Sequence, residues 1–202
     1  MQISSLVNCM DFPCLDVRQE SYIIPDVELD PKDVRILLIS EAAPEKPGDY
    51  YYAGANALFE QTTVLAFQDA GARVASIRDI LGLGVYLTTA VKCGKTGYGI
   101  TTTTIQNCAR LLEREIALFP NIKAYLLMGD VAIKAVNNIA RRNSEPRVIP
   151  AGSTYKIRRG EFYFQGKRAL PSYVQAGPAF FIEQVNRRMI AEDIAKALQI
   201  AS

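Results

Sequence analysis

Arg35-Ile36-Leu37-Leu38-Ile39-Ser40 is an apolar run of strand length bounded by polar residues. Such a run fits a strand covered on both faces, as in a parallel sheet. Residues 84–90 and 122–128 repeat the pattern. Helix-length segments separate the three. In 56–70, Leu58, Phe59, Thr62, Leu65 and Ala66 recur at helical spacing, with Asn56 as the expected N-cap and Gly71 at the C-terminal end. Residues 103–118 form the next helix, and Asp130 is the expected cap of a helix through Arg141. Strands alternating with helices imply right-handed crossovers, hence a three-layer α/β/α sandwich with a central, mostly parallel sheet. The loops 40–54, 88–99, 129–130 and 171–177 then lie beyond the carboxyl ends of the strands, where ligands bind in such sheets.

Outside this frame, residues 1–33 lack periodicity and read as an irregular arm. Residues 155–164 read as a hairpin centred on Arg159-Gly160, and 168–171 as a last short strand. Pro178 or Ala179 opens a closing helix to Leu198. There is no internal repeat, and 202 residues suit a single domain.

With 49% apolar and 22% charged residues, the composition is that of a globular chain rather than a disordered one. No apolar run approaches the roughly 20 residues that span a bilayer, and the first residues lack a basic segment followed by a long apolar core. The expectation is a cytoplasmic monomer without membrane contact. A net charge of +2 neither requires nor excludes nucleic acid. Its distribution is more informative: Lys92 and Lys95 flank a cysteine, and Lys156, Arg158, Arg159, Lys167 and Arg168 surround the expected hairpin. Singly, each reads as solvated surface; together they predict one basic face for phosphates. The chain contains 0 histidines, which excludes Ser–His and Cys–His hydrolase mechanisms and His-bearing metal sites.

The four cysteines are Cys9 and Cys14 in the arm, Cys93 after the second strand, and Cys108 early in the next helix. A loop followed by a helix start can bring Cys93 and Cys108 to one centre, and the arm can complete four thiolates. That donor set suits a [4Fe–4S] cluster or a structural zinc. Four unrelated buried thiols are the plain alternative.

Val85-Tyr86-Leu87-Thr88-Thr89-Ala90-Val91-Lys92-Cys93 resembles the Y-I-T-N-V-V-K-C strand and loop of iron–sulfur uracil-DNA glycosylases. Asn107-Cys108-Ala109-Arg110-Leu111-Leu112-Glu113-Arg114-Glu115-Ile116 is similar to the cluster-binding helix of that family, and Leu127-Met128-Gly129-Asp130-Val131-Ala132 to its L-G-x-x-A turn. Ile39-Ser40-Glu41-Ala42-Ala43-Pro44 stands in place of G-E-A-P-G, and Leu170-Pro171-Ser172-Tyr173 in place of H-P-S-Y. The resemblance is collinear from about Arg35 to Leu198. It implies a DNA glycosylase of base excision, acting on single- or double-stranded DNA, with a structural [4Fe–4S] cluster on Cys9, Cys14, Cys93 and Cys108. A non-catalytic iron–sulfur nucleic-acid-binding protein on the same scaffold is the other reading.

A glycosylase flips its target nucleotide into a pocket, stacks the base, reads its edge, and directs water at the sugar. The resemblance assigns the water or the oxocarbenium-like sugar to Glu41, for which a solvated or backbone-capping carboxylate is the plain alternative. Of Tyr50, Tyr51 and Tyr52, it places Tyr52 nearest the stacking position, where a packing loop is the alternative. Ala43, Thr89 and Leu170 take further base-binding positions, and Lys92, Lys95, Pro171 and Ser172 take DNA contacts. Thr89 replaces an Asn that reads uracil, offering one hydroxyl instead of an amide that donates and accepts. Leu170 replaces a catalytic His, and Ser40 and Ala43 stand at glycine positions. Ordinary uracil excision is therefore expected to be weak or absent.

Overall fold

The computed structural model describes residues 3–97 and 99–202. In chain order the elements are β1 (Val17–Arg18), β2 (Ile36–Ala43), α1 (Leu58–Asp69), α2 (Ile77–Gly82), β3 (Val85–Lys95), α3 (Thr102–Ile116), β4 (Ala124–Met128), α4 (Asp130–Arg142), α5 (Thr154–Ile157), β5 (Phe162–Phe164), β6 (Lys167–Ser172), α6 (Ala179–Ile182) and α7 (Gln184–Ala201). The sheet runs β1-β3-β2-β4-β6-β5. Its inner strands β3, β2, β4 and β6 are parallel, and the short edges β1 and β5 are antiparallel.

Strand alternation divides the apolar residues between two cores. Leu37, Ile39, Tyr86, Tyr125 and Leu127 face α3 and α4, where they meet Ile105, Leu112, Val136 and Ile139. Ile36, Leu38, Leu87, Leu126 and Leu170 face α1, α2 and α7, where they meet Phe67, Ile80, Ile190 and Ile194. Both faces of the inner strands are thus covered, giving the three-layer α/β/α sandwich that continuous apolar runs imply.

Several boundaries differ from the sequence reading. β2 continues through Ala43 and β3 through Lys95, so the first motif and the Lys92-Cys93 segment are strand rather than loop. The two stay paired past a bulge, with Ala43 opposite Gly94. Gly94 marks close packing: a Cβ there would lie 2.7 Å from Ser21 Cβ and 2.9 Å from the Pro44 carbonyl oxygen. The expected 155–164 hairpin is instead the short helix α5 followed by β5. The actual hairpin joins β5 to β6 through Gln165 and Gly166, whose φ angles of 50° and 70° match a two-residue turn with positive φ at both positions. α1 starts after Ala57, not Asn56, and Gly129 rather than Asp130 is the N-cap residue of α4. The closing helix is broken at Glu183.

The arm is tied down locally. β1 pairs with the end of β3, and the Ile23 amide donates to the Lys92 carbonyl, 2.8 Å. Asp16 accepts from the Thr101 amide, 2.7 Å, and from the Thr104 hydroxyl, capping α3.

Candidate active site

The connection from β2 leads to β3, and the connection from β4 leads towards β6 on the opposite side. The crevice between diverging connections lies at the carboxyl ends of β2 and β4. Glu41, near the end of β2, occupies it. Its Oε2 accepts from Lys95 Nζ at 3.1 Å, and its Oε1 accepts from the Val131 amide at 3.5 Å, in the first turn of α4. The positive end of the α4 dipole favours the carboxylate there. Gly129 makes the approach possible: with φ 99°, a Cβ would sit 2.8 Å from Glu41 Cγ and 2.5 Å from Val174 Cγ2. The Glu41 side chain is 19% exposed, so water reaches it while most of it is shielded.

Behind Glu41, on the α1 face, lies a closed polar ring. Ser40 Oγ donates to Gln175 Oε1 at 3.0 Å, and Gln175 Nε2 donates to the Tyr51 hydroxyl at 3.0 Å. Ser40 and Tyr51 are 2.5 Å apart, and completing the ring requires Tyr51 to donate. Gln175 also reaches Thr63 Oγ1 at 3.4 Å. All four residues are buried. Burial raises the Tyr51 hydroxyl pKa above its ordinary value despite these bonds. Thr89 is the parallel-strand neighbour of Ser40 and projects to the same face. Its hydroxyl is buried with no hydrogen-bond partner among the described residues. Tyr50, Tyr51 and Phe59 pack as an aromatic group, with Tyr51–Phe59 centroids 5.2 Å apart. Half-buried Tyr52 uses its hydroxyl to satisfy the outer edge of β3, donating to the Leu87 carbonyl at 3.0 Å and accepting from the Leu87 amide at 3.1 Å.

Glu41, Ser40, Tyr51 and Thr89 therefore lie at the carboxyl ends of neighbouring strands. Five other assigned residues, Leu170, Ala43, Pro171, Ser172 and Lys92, are buried. Leu170 is 1% exposed, aligned with Leu126 in the core below the strand ends. Ala43 is buried against Gly94. Pro171 is buried, and the buried Ser172 hydroxyl donates to Asp193 Oδ2 at 2.6 Å. Lys92 is 0% exposed: it pairs with Glu115 and donates to Thr88 Oγ1 at 2.6 Å and the Thr89 carbonyl at 2.7 Å. Tyr86 and Thr88 complete the Glu115 shell. Lys92, Pro171 and Ser172 are thus buried, in the strands β3 and β6 rather than in loops.

The expected single basic face is divided. Lys95 stands beside Glu41 on β3. Lys156 and Arg159 line a depression with Arg188 and Val185, beyond β6. Buried Arg158 pairs with Asp193 and Glu192. Lys167 and Arg168 begin β6, at the opposite end of the strands from Glu41. Glu115 and Gln175 were missed by the sequence reading. Glu115 carried a signal, since it repeats the helical spacing of Cys108, Leu111 and Leu112 on the buried face of α3. Gln175, in a loop, carried none.

The four cysteines meet at the corner where the arm, β3 and α3 join. Cys14, Cys93 and Cys108 are buried in one core, and Cys9 is half-buried against it. Burial, reinforced by the neighbouring cysteines, pushes the Cys93 thiol up to about 12. Burial likewise pushes Cys108 up to about 11, against the Lys92 amide that hydrogen-bonds it. The Asn107 amide approaches Cys14 Sγ at 3.9 Å. The four thiols have the donor chemistry of a four-cysteine metal centre. Among the described residues, however, no three Cys, Asp or Glu side chains are drawn together as a metal-ligand set. Among the described residues, no helix is long and apolar enough to cross a membrane.

Comparison with known proteins agrees with this architecture. A "Type-5 uracil-DNA glycosylase" of Thermus thermophilus is 26% identical over 125 residues, 61% of this chain and 53% of that protein. The chain thus spans about half the length of this curated relative. The family model for the uracil DNA glycosylase superfamily matches residues 27–188, a span that takes in all four inner strands and the Glu41 crevice. The chain therefore belongs to the uracil DNA glycosylase superfamily.

Proposed function

We propose that the chain hydrolyses the N-glycosidic bond of an altered base in DNA. The observation that carries this reading is Glu41, a shielded carboxylate held in the switch-point crevice by Lys95 and the first turn of α4. Water attacks the sugar C1′ as the C1′–N bond breaks, and the bonding electrons leave with the base. Glu41 takes the proton of the attacking water and opposes the positive charge that develops on the sugar. Lys95, 33% exposed, holds Glu41 and contacts a phosphate of the bound strand. Thr89, whose hydroxyl has no partner among the described residues, supplies the polar edge against the base, and Tyr51 backs it through the Ser40–Gln175 ring. Tyr52 and Ala43 form part of the wall, while Leu170 supports it from the core.

With no histidine and a leucine in the core at position 170, departure of uracil lacks a strong electrophile. Losing one preorganised donor at a developing anion costs on the order of 100- to 1,000-fold in rate. Uracil excision is accordingly slow, and bases that leave more readily are better substrates. Oligonucleotides carrying uracil, hypoxanthine or xanthine, single- and double-stranded, test this directly. Strand cleavage after alkali that appears with the parent chain and disappears with Glu41→Gln supports it; the absence of cleavage from every substrate refutes it.

A second reading is favoured by Gln175. Its carboxamide fills the space between Ser40, Tyr51 and Thr63 and presents an oxygen and an NH2 as a base edge does. On this reading the chain binds nucleic acid without cleaving it, and DNA binding without excision distinguishes it.

The same proposal assigns a [4Fe–4S] cluster, structural rather than catalytic, to Cys9, Cys14, Cys93 and Cys108. Its support is four thiols from three elements converging at one corner. A brown colour and about four irons per chain after anaerobic purification support the cluster. A colourless protein containing zinc makes the centre a structural zinc instead.

A further inference from the structure

Two cations of the expected basic face, Lys167 and Arg168, meet two others elsewhere. A depression of about 530 Å³ at the amino ends of β4 and β6 is lined by Lys123, Lys167, Arg168, Lys196, Tyr163 and Glu161, among others. It lies at the opposite end of the strands from Glu41. Lys123 immediately precedes β4, and Arg168 is aligned with Ala124, the first residue of that strand. Lys196 comes from the C-terminal half of α7, whose last turn reaches Arg35 at the start of β2. Separate elements thus bring four cations to one concavity.

Solvated surface lysines are the ordinary explanation of such residues, and two features set this group apart. First, no ion pair among the described residues involves Lys123, Lys167 or Lys196. The single lining acid, Glu161, is 77% exposed and 3.8 Å from Arg168 Nη1, beyond hydrogen-bond distance. The local charge is therefore strongly positive in a chain whose net charge is only +2. Second, Arg168 is only 7% exposed, and its Nη1 is buried with no hydrogen-bond partner among the described residues. Its Nη2 donates to the Gly160 carbonyl at 3.0 Å, and its guanidinium lies 5.4 Å from the Tyr163 ring centroid. A buried guanidinium with an unmet donor among unpaired ammonium groups is a poor resting arrangement for a bare surface.

We propose that this depression binds phosphate carried by a nucleotide. A phosphate offers several anionic acceptors to the three lysines and to Arg168, which a slight opening of the Tyr163–Arg168 contact would expose. Tyr163, 57% exposed, supplies an aromatic surface beside them for the nucleoside. The volume is within the range of small-molecule sites. The phosphate source is either a free nucleotide or the backbone of a DNA strand passing the face remote from Glu41.

Binding of inorganic pyrophosphate, dAMP and deoxyadenosine to the full chain at low ionic strength tests the site, by calorimetry and by the shift in thermal unfolding. The parent should bind pyrophosphate and dAMP but not deoxyadenosine. The triple variant Lys123→Gln, Lys167→Gln, Lys196→Gln should keep its circular dichroism and lose at least tenfold in affinity for both. Competition of dAMP by an unmodified oligonucleotide identifies the backbone as the source, and its absence identifies the free nucleotide. Failure of any phosphate compound to bind, or equal binding by parent and variant, overturns the proposal. The readout is binding, so the result stands whether or not the chain cleaves DNA.

Discussion

Two partners hold the Glu41 carboxylate, and they affect different properties. The Val131 amide and the α4 dipole fix its position, whereas Lys95 also partly neutralises it. Glu41→Gln should keep the fold and lower any excision rate by about 100- to 10,000-fold, the usual range for a lost general base; a rate unchanged in single-turnover assays would remove Glu41 from the chemistry. Gln175→Ala leaves the Tyr51 and Ser40 hydroxyls short of partners in a buried setting. It should cost about 1–3 kcal/mol in urea unfolding, and it opens the space that the carboxamide fills, so binding of a free base should rise above that of the parent. Lys92 and Glu115 form a third test. Lys92→Met strands Glu115 and should destabilise by about 3–5 kcal/mol, with Lys92→Met/Glu115→Leu recovering much of that loss. If the double variant is no better than the single one, the buried pair is not the source of the cost. Glu115 was legible as a polar residue on an apolar helix face. Its partner was not, because Lys92 beside a cysteine and a glycine looks like the start of a loop.

Among the elements, the arm and α3 depend on each other through Asp16. Partial burial raises the Asp16 carboxyl, but hydrogen bonds from the Thr101 amide and the Thr104 hydroxyl outweigh it and hold the pKa below the ordinary 3.8. A depressed carboxyl contributes stability that is fully present above its unfolded value and lost as pH falls through the folded one. Asp16→Asn should therefore be less stable than the parent near neutral pH, and the gap should close as pH is taken below 3.8. Urea midpoints across that range measure it, and a gap independent of pH would mean that the side chain acts by shape rather than charge. At the other end of the sheet, Gln165-Gly166 rather than Arg159-Gly160 makes the hairpin turn. Both pairs place a glycine after a polar residue, and pairing of Phe162–Phe164 with β6 decides between them.

At the scale of the whole molecule, two cores share one sheet. Ile139 belongs to the α4 side and Ile194 to the α7 side, each 0% exposed. Ile139→Ala and Ile194→Ala should each cost about 2–5 kcal/mol. In both variants, circular dichroism and tyrosine fluorescence, in a chain with 0 tryptophans, should shift together, since each core needs the same strands. Separate transitions would show that the layers unfold independently. The division of cations between the two ends of the strands is also a whole-molecule property. Lys156, Arg159, Lys167 and Arg168 are near in sequence, yet the run along β5 and β6 separates their surroundings.

What the sequence determined alone was the layered architecture and the place of the crevice. Continuous apolar runs at 36–39, 85–87 and 124–128 demand cover on both faces, and the helical segments between them supply it. The position of Glu41 after the first of these runs and the absence of histidine were legible directly from the sequence. Only the tertiary structure decided which polar groups are buried. Strand pairing carried β3 past Cys93 and placed Lys92 against Glu115. Strand alignment put Leu170 below the crevice, and a loop returning over α1 set Gln175 into the ring with Ser40 and Tyr51. Those outcomes depend on contacts between residues up to 135 positions apart, where burial and hydrogen-bond satisfaction are settled by the whole fold and no local pattern records them.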